Sequence, residues 1–161
     1  NGLVSMHEQV NSYWAQVDTQ LQRRADLIPN LVNTVKGYAS HEQEAVKAVA
    51  DARSKLLNAS TPTDKISANG ELSNALGRLL MVAENYPDLK ASQNFLALQD
   101  ELAGTENRIS VARRDYNNQV QKYNAKIHSF PVSLYAGAFG FTDAPYFKAD
   151  EGAKAAPKVQ F

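Results

Sequence analysis

Few residues in this chain have the type and spacing that chemistry requires. Its histidines are His7, His41 and His128, and one of them opens the acidic stretch His41-Glu42-Gln43-Glu44. A helical zinc-hydrolase motif needs a second histidine four positions after the first, which this stretch lacks. A di-metal helical bundle needs Glu-x-x-His pairs facing inward from two helices. No histidine here has a glutamate three residues before it. The stretch therefore reads as an exposed polar turn, and no metal ligand is assigned. The chain contains no cysteine, so thiol catalysis, thiolate metal sites and disulfides are all excluded. There is no G-x-S-x-G, no P-loop and no dinucleotide fingerprint. Gly137-Ala138-Phe139-Gly140 is too short to cradle a phosphate and does not lie between a strand and a helix. No catalytic residue and no cofactor are assigned, and the expectation is a protein that is not an enzyme.

Two other groups of residues stand out. The first is polar: Arg24, Glu106 and Arg113 fall on otherwise apolar helical rows, where a lone buried charge would cost several kcal/mol, of the order of ~3–5. Opposite charges on facing rows are expected to pair, Arg24 or Arg113 with Glu106, and to fix helix register. Arg23 and Asp26 are spaced as a surface pair on one helix face. Together with Arg24 and Pro29 they form a candidate docking point. The second group is the aromatic set Tyr135, Phe139, Phe141, Tyr146 and Phe147. Aromatic residues are enriched at interface hot spots, so these residues either seal the bundle or present themselves to a protein partner.

The elements that must carry these residues are helices. Over residues 3–57, Leu3, Val10, Val17, Leu31, Tyr38, Ala45 and Ala52 fall on one seven-residue repeat. Trp14, Leu21, Ile28, Val35, Val49 and Leu56 form a second row, as in helices packed at small angles. Residues 58–64 read as a loop, with Thr63 or Asp64 capping the next helix. Its seam is Leu72, Leu76, Leu79, Ala83 and Tyr86, ended by Pro87. A third pattern, capped by Asp88 or Ser92, carries Phe95, Leu102, Ile109, Tyr116, Tyr123 and Phe130 and stops at Pro131. From there the periodicity is lost, leaving an irregular aromatic tail with one helical turn near 133–138.

A single helix over residues 3–57 would be about 80 Å long and would leave apolar seams uncovered at both ends. Proline inside a helix removes a backbone donor and crowds the carbonyl one turn back. The expected fold is therefore an all-α, antiparallel long-helix bundle of four helical segments, with the first helix kinked or broken near Pro29. The alternative is that a second chain covers the overhangs.

Composition narrows the function classes. The 161 residues carry 17 Lys and Arg against 17 Asp and Glu. A nucleic-acid binder would show a basic excess, so no nucleic-acid partner is expected. No apolar run reaches the ~18 residues of a membrane span.

Several blocks of the chain closely resemble the LemA family. They are Gln22-Arg23-Arg24-Ala25-Asp26-Leu27-Ile28-Pro29-Asn30-Leu31-Val32, Val35 through Glu42, Glu84 through Ala91, Glu106 through Ile109, Ala112 through Asn117, and Phe130-Pro131. Phe139-Gly140-Phe141 with Tyr146-Phe147 resembles the family's closing segment. The resemblance covers roughly residues 3–147. It implies a LemA-like bundle domain over 1–147, including the closing segment 131–147, with 148–161 as a C-terminal extension. It further implies a bacterial or archaeal protein anchored in the membrane by a single transmembrane helix just before Asn1. The family carries over no established activity or cofactor, only a membrane-associated or envelope role. The expectation is a scaffold or adaptor with an unidentified protein partner or self-association, the alternative being a structural protein that touches lipid or envelope polymer. An unrecognised hydrolase or metal enzyme is the remaining rival.

Overall fold

The computed structural model describes residues 2–129 and 132–147, apart from the side chain of Tyr135. The chain is all-α, with six helices among the described residues: α1 (Gly2–Tyr38), α2 (Gln43–Asn58), α3 (Pro62–Ala83), the short α4 (Pro87–Ala91), α5 (Gln93–His128) and the single turn α6 (Ser133–Ala136). A 3-10 turn, Gly137–Phe139, follows, and the chain then runs without regular structure to Phe147. Phe130 and Pro131, and with them the expected stop at Pro131, lie outside the described residues, as does the segment 148–161.

The two longest helices lie antiparallel. Gln119 of α5 donates to Gln9 of α1, Tyr116 packs on Trp14, and Arg108 donates to Gln20, so the partners run in opposite order along the pair. The second half of α1 is also covered by the hairpin of α2 and α3. Arg53 of α2 reaches Ala25, while Lys65 and Asn69 of α3 reach Asp18 and Arg24. One half of the bundle therefore has four helices and the other has two. The apolar seam runs through both halves, with Leu3, Val17, Ile28, Val35, Val49, Leu72, Phe95, Tyr116 and Tyr123 all buried.

The first helix does not break at Pro29. It continues through that residue to Tyr38, and the reversal comes at residues 39–42. The missing donor is replaced from outside the helix. In a regular helix the carbonyl of Ala25 would accept from the N–H of residue 29, and proline has none. That carbonyl instead accepts from Nε of Arg53 on α2 at 2.8 Å. Ala25 is fully buried, so an unsatisfied carbonyl there would be costly. The side chain that satisfies it also pins α2 against α1.

At the corner the seam shifts by one residue. Tyr38, expected inside, is 47 % exposed, and Ala39 is buried in its place. The corner is held by the Glu42 N–H donating to the Ala39 carbonyl and by Tyr86 donating to the Glu42 carboxylate at 3.0 Å. The start of α3 differs in detail from expectation, and that of α5 agrees with it. Thr61, not Thr63 or Asp64, caps α3 by accepting from the N–H of Asp64, with Pro62 in the first turn where a missing donor is harmless. Ser92 caps α5 by accepting from the N–H of Phe95.

This arrangement makes a prediction about Arg53. Arg53→Met should lower stability by about 1–3 kcal/mol, the range for orphaning a buried acceptor. In a Pro29→Ala background the restored N–H can serve Ala25, so the same change should cost much less. Equal penalties in both backgrounds, measured by denaturant unfolding, would show that Arg53 does not replace the donor missing at Pro29.

Candidate functional site

Two polar constellations are built into the bundle. The first lies inside the four-helix half. Arg24 is 3 % exposed; it donates to Oδ1 of buried Asn69 at 2.5 Å and lies 3.8 Å from the carboxylate of Glu106. One guanidinium thus links α1, α3 and α5. Glu106 itself is largely exposed, so its charge is well solvated and the ion pair is screened. The hydrogen bond to Asn69 is the interior part of the knot. Asn69 was not anticipated from sequence, since a lone asparagine on a polar-rich helix carries no signal until the helices are docked. The proposed docking point around Arg23, Arg24, Asp26 and Pro29 does not assemble as one surface. Arg24 turns inward, Arg23 and Asp26 stay exposed, Pro29 is half-buried, and Asp26 accepts from Gln22 at 3.0 Å.

The second constellation lies on the two-helix half, where an extended segment of the tail lies along α5. Gly140, in the left-handed region at φ 83°, ends the 3-10 turn and lets the chain reverse. Residues 143–147 then run back along α5 as a strap. Asp143 meets His128 at 2.7 Å. Asn124 holds both backbone groups of Ala144, accepting from its N–H at 2.8 Å and donating to its carbonyl at 3.2 Å. Tyr116 donates to the carbonyl of Pro145 at 2.8 Å. Asn117 holds both backbone groups of Phe147, at 2.7 and 2.8 Å.

The spacing explains why two side-chain amides can do this. Asn117 and Asn124 are two helical turns apart, about 10.5 Å along α5. An extended chain covers about 9–10 Å in three residues, the interval from Ala144 to Phe147. Each asparagine presents a donor and an acceptor in one plane, so it replaces a neighbouring strand for one residue.

The five tail aromatics do not act as one group. Phe147 is buried beneath Arg113, whose guanidinium lies 5.6 Å from the ring centroid. Arg113 thus faces the strap, while Glu106 is met by Arg24. Phe141 is half-buried with its ring centroid 5.9 Å from His7. Phe139 and Tyr146 face solvent, at 71 % and 44 % exposure. The side chain of Tyr135 lies outside the described residues.

Sequence reading found the aromatics but missed the asparagines. A signal was present: the dipeptide Tyr-Asn occurs at Tyr116-Asn117 and again seven residues on at Tyr123-Asn124. Each tyrosine belongs to the buried seam, so each asparagine must sit on the seam's flank.

Burial shapes the phenols. It pushes the Tyr116 hydroxyl up to about 12. Tyr123 is raised by burial first and by the Asp143 carboxylate second. At the corner, the hydrogen bond to Glu42 is the main cause raising Tyr86. Among the described residues no group of three or more His, Cys, Asp or Glu side chains is placed to hold a metal. His41 is exposed at the corner, and Glu42 is engaged by Tyr86. None of the described helices is long and apolar enough to cross a membrane.

An all-helical antiparallel bundle closed by an aromatic strap is the architecture expected of the family that the sequence blocks resemble. The chain belongs to the LemA family, whose model matches residues 13–161 and so takes in the last fourteen positions as well. Among curated relatives, Magnetosome protein MamQ 1 and MamQ 2 of Paramagnetospirillum magneticum are each 27% identical to it over 92% of this chain. Protein LemA of Metamycoplasma hominis is 26% identical over 94% of the chain and 69% of its own length. The chain spans only 64% of the length of the two MamQ proteins.

Two outcomes follow from these sites. Arg24→Met should cost about 1–3 kcal/mol by orphaning Asn69, whereas Glu106→Gln, at the exposed end, should cost under about 1 kcal/mol. The reverse ranking in chemical denaturation would place the knot's strength in the ion pair. The second outcome concerns pH. The Tyr116 hydroxyl keeps its proton to a higher pH when folded than when unfolded, so its contribution is complete below pH ~10 and is lost as pH rises toward ~12. Melting temperatures recorded from pH 9 to 11.5 should fall less steeply for Tyr116→Phe than for wild type.

Proposed function

We propose that this chain is the helical body of a membrane-tethered scaffold or adaptor of the bacterial cell envelope, and that it acts by binding rather than by catalysis. The observation that carries this reading is the construction of the tail. A segment fastened to the bundle at four points, by His128, Asn124, Tyr116 and Asn117, holds Tyr146 out into solvent, and the 3-10 turn ahead of it exposes Phe139. Fixed, exposed aromatic side chains lose little entropy when a partner covers them, which is why such residues dominate binding surfaces. The polar groups of the interior are committed elsewhere. Among the described residues every buried side-chain nitrogen and oxygen has a hydrogen-bond partner within the protein. Arg24, Asn69 and Arg53 join helices, and the asparagines of α5 hold the strap.

A second reading is direct contact with lipid. It is favoured by Leu134, 72 % exposed beside Phe139 on the tail turn. That turn lies at the end of the bundle where α1 begins, as the contact of Phe141 with His7 places it.

In-cell crosslinking of the full-length protein, read by mass spectrometry, separates the two. Wild type should yield a discrete protein partner that disappears in a Phe139→Ala/Tyr146→Ala variant whose melting temperature is unchanged. Crosslinks only to lipid or to other copies, equal in both proteins, would remove the adaptor reading and leave the lipid one.

A further inference from the structure

The strap is held in a way that ignores most of its side chains. Of its five contacts with α5 through hydrogen bonds to main chain, two involve Ala144, one Pro145 and two Phe147. Every one is a bond that any extended peptide could offer at the same places, provided the residues facing Asn124 and Asn117 have an N–H. Selectivity can enter at three positions, one of them Ala144, which packs half-buried against the core. Asp143 meets His128, and Phe147 fills the buried site under Arg113. Pro145 and Tyr146 between them are exposed. Main-chain bonds that give affinity, combined with a few side-chain sites that give selection, define a peptide-recognition groove.

We propose that the groove the strap occupies along α5 is a receptor for an extended peptide segment. Its resident occupant, residues 143–147, is exchangeable for a segment of a partner protein with the pattern acidic, small, two unrestricted residues, aromatic. The proposal rests on the adaptor reading for its biological setting and adds a second mode of partner capture, through the seat that the strap vacates. The groove is preformed, because Asn117, Asn124, Tyr116 and Arg113 are fixed on one continuous helix. The strap can leave without unthreading the bundle, since it lies on the outside of a helix pair and follows a turn that contains Gly137 and Gly140. A bound strap lowers the apparent affinity for an incoming segment in proportion to the fraction of molecules with the groove open.

The test uses the whole chain and needs no membrane. The probe is the fluorescent, end-blocked peptide Thr-Asp-Ala-Pro-Tyr-Phe, copied from residues 142–147. The receptor is an Ala144→Pro/Phe147→Ala variant, which deprives the strap of one N–H and of its aromatic anchor while leaving α5 untouched. Fluorescence anisotropy should show saturable binding at least about tenfold tighter than to wild type. Adding Asn117→Ala/Asn124→Ala to the receptor should abolish that binding, as should replacing alanine by proline in the probe. If circular dichroism shows that the double strap variant has lost its helices, Phe147→Ala alone serves as the receptor. No binding to a folded, strap-released receptor overturns the proposal, and so does binding that survives loss of both asparagines. Size-exclusion chromatography of wild type provides the remaining arm. A dimer that vanishes on strap release would assign the groove to a second copy's strap and overturn the claim of a separate partner. Failure of the peptide to bind leaves the crosslinking outcome untouched, so the two readings fail independently.

Discussion

The structure depends on the antiparallel seam between α1 and α5. These helices have 37 and 36 residues, and every other element is attached to the pair they form. The hairpin of α2 and α3 covers one half, and the strap covers the other. Two covers of such different kinds follow from what each half must bury. The half around Leu21, Ile28 and Val35 presents a wide apolar stripe that needs helices against it. The other half presents tyrosines and a tryptophan, whose polar edges can be met by main chain. Tyr116 packs against Trp14 while its hydroxyl holds the strap.

Buried polar groups do the joining throughout. Arg24 links three helices, Arg53 links two, and two asparagines fasten the strap. Apolar packing alone would leave such long, Ala-rich helices free to slide by a heptad. A guanidinium that must find one particular carbonyl, or an amide that must find one particular residue, removes that freedom. Arg53 is the clearest case, because its target exists only at the residue four before Pro29.

The helices were legible because heptad rows are a property of the local sequence. Leu72, Leu76 and Leu79, or Ile109, Tyr116 and Tyr123, announce their own burial. What was not legible depends on residues distant in the chain. Pro29 shows a missing donor, but nothing near it shows that Arg53 will supply one, so a kink or break is the natural expectation. Likewise the seam continues smoothly on paper through Tyr38, whereas the corner at 39–42 shifts it onto Ala39. The strap was read correctly as irregular and aromatic, but its seat was not seen. Apolar periodicity says nothing about Asn117 and Asn124, which lie beside the seam and act on backbone rather than on side chains.

The pairing of Gln9 with Gln119 also sets an order of events as the chain is made. The second half of α1 can close on α2 and α3 as soon as about half of the chain has emerged. The stripe from Leu3 to Val17 has no such local partner and must wait for the far end of α5. During synthesis this early-made stretch is therefore covered late, and it spends that interval with its apolar face open to whatever holds the nascent chain.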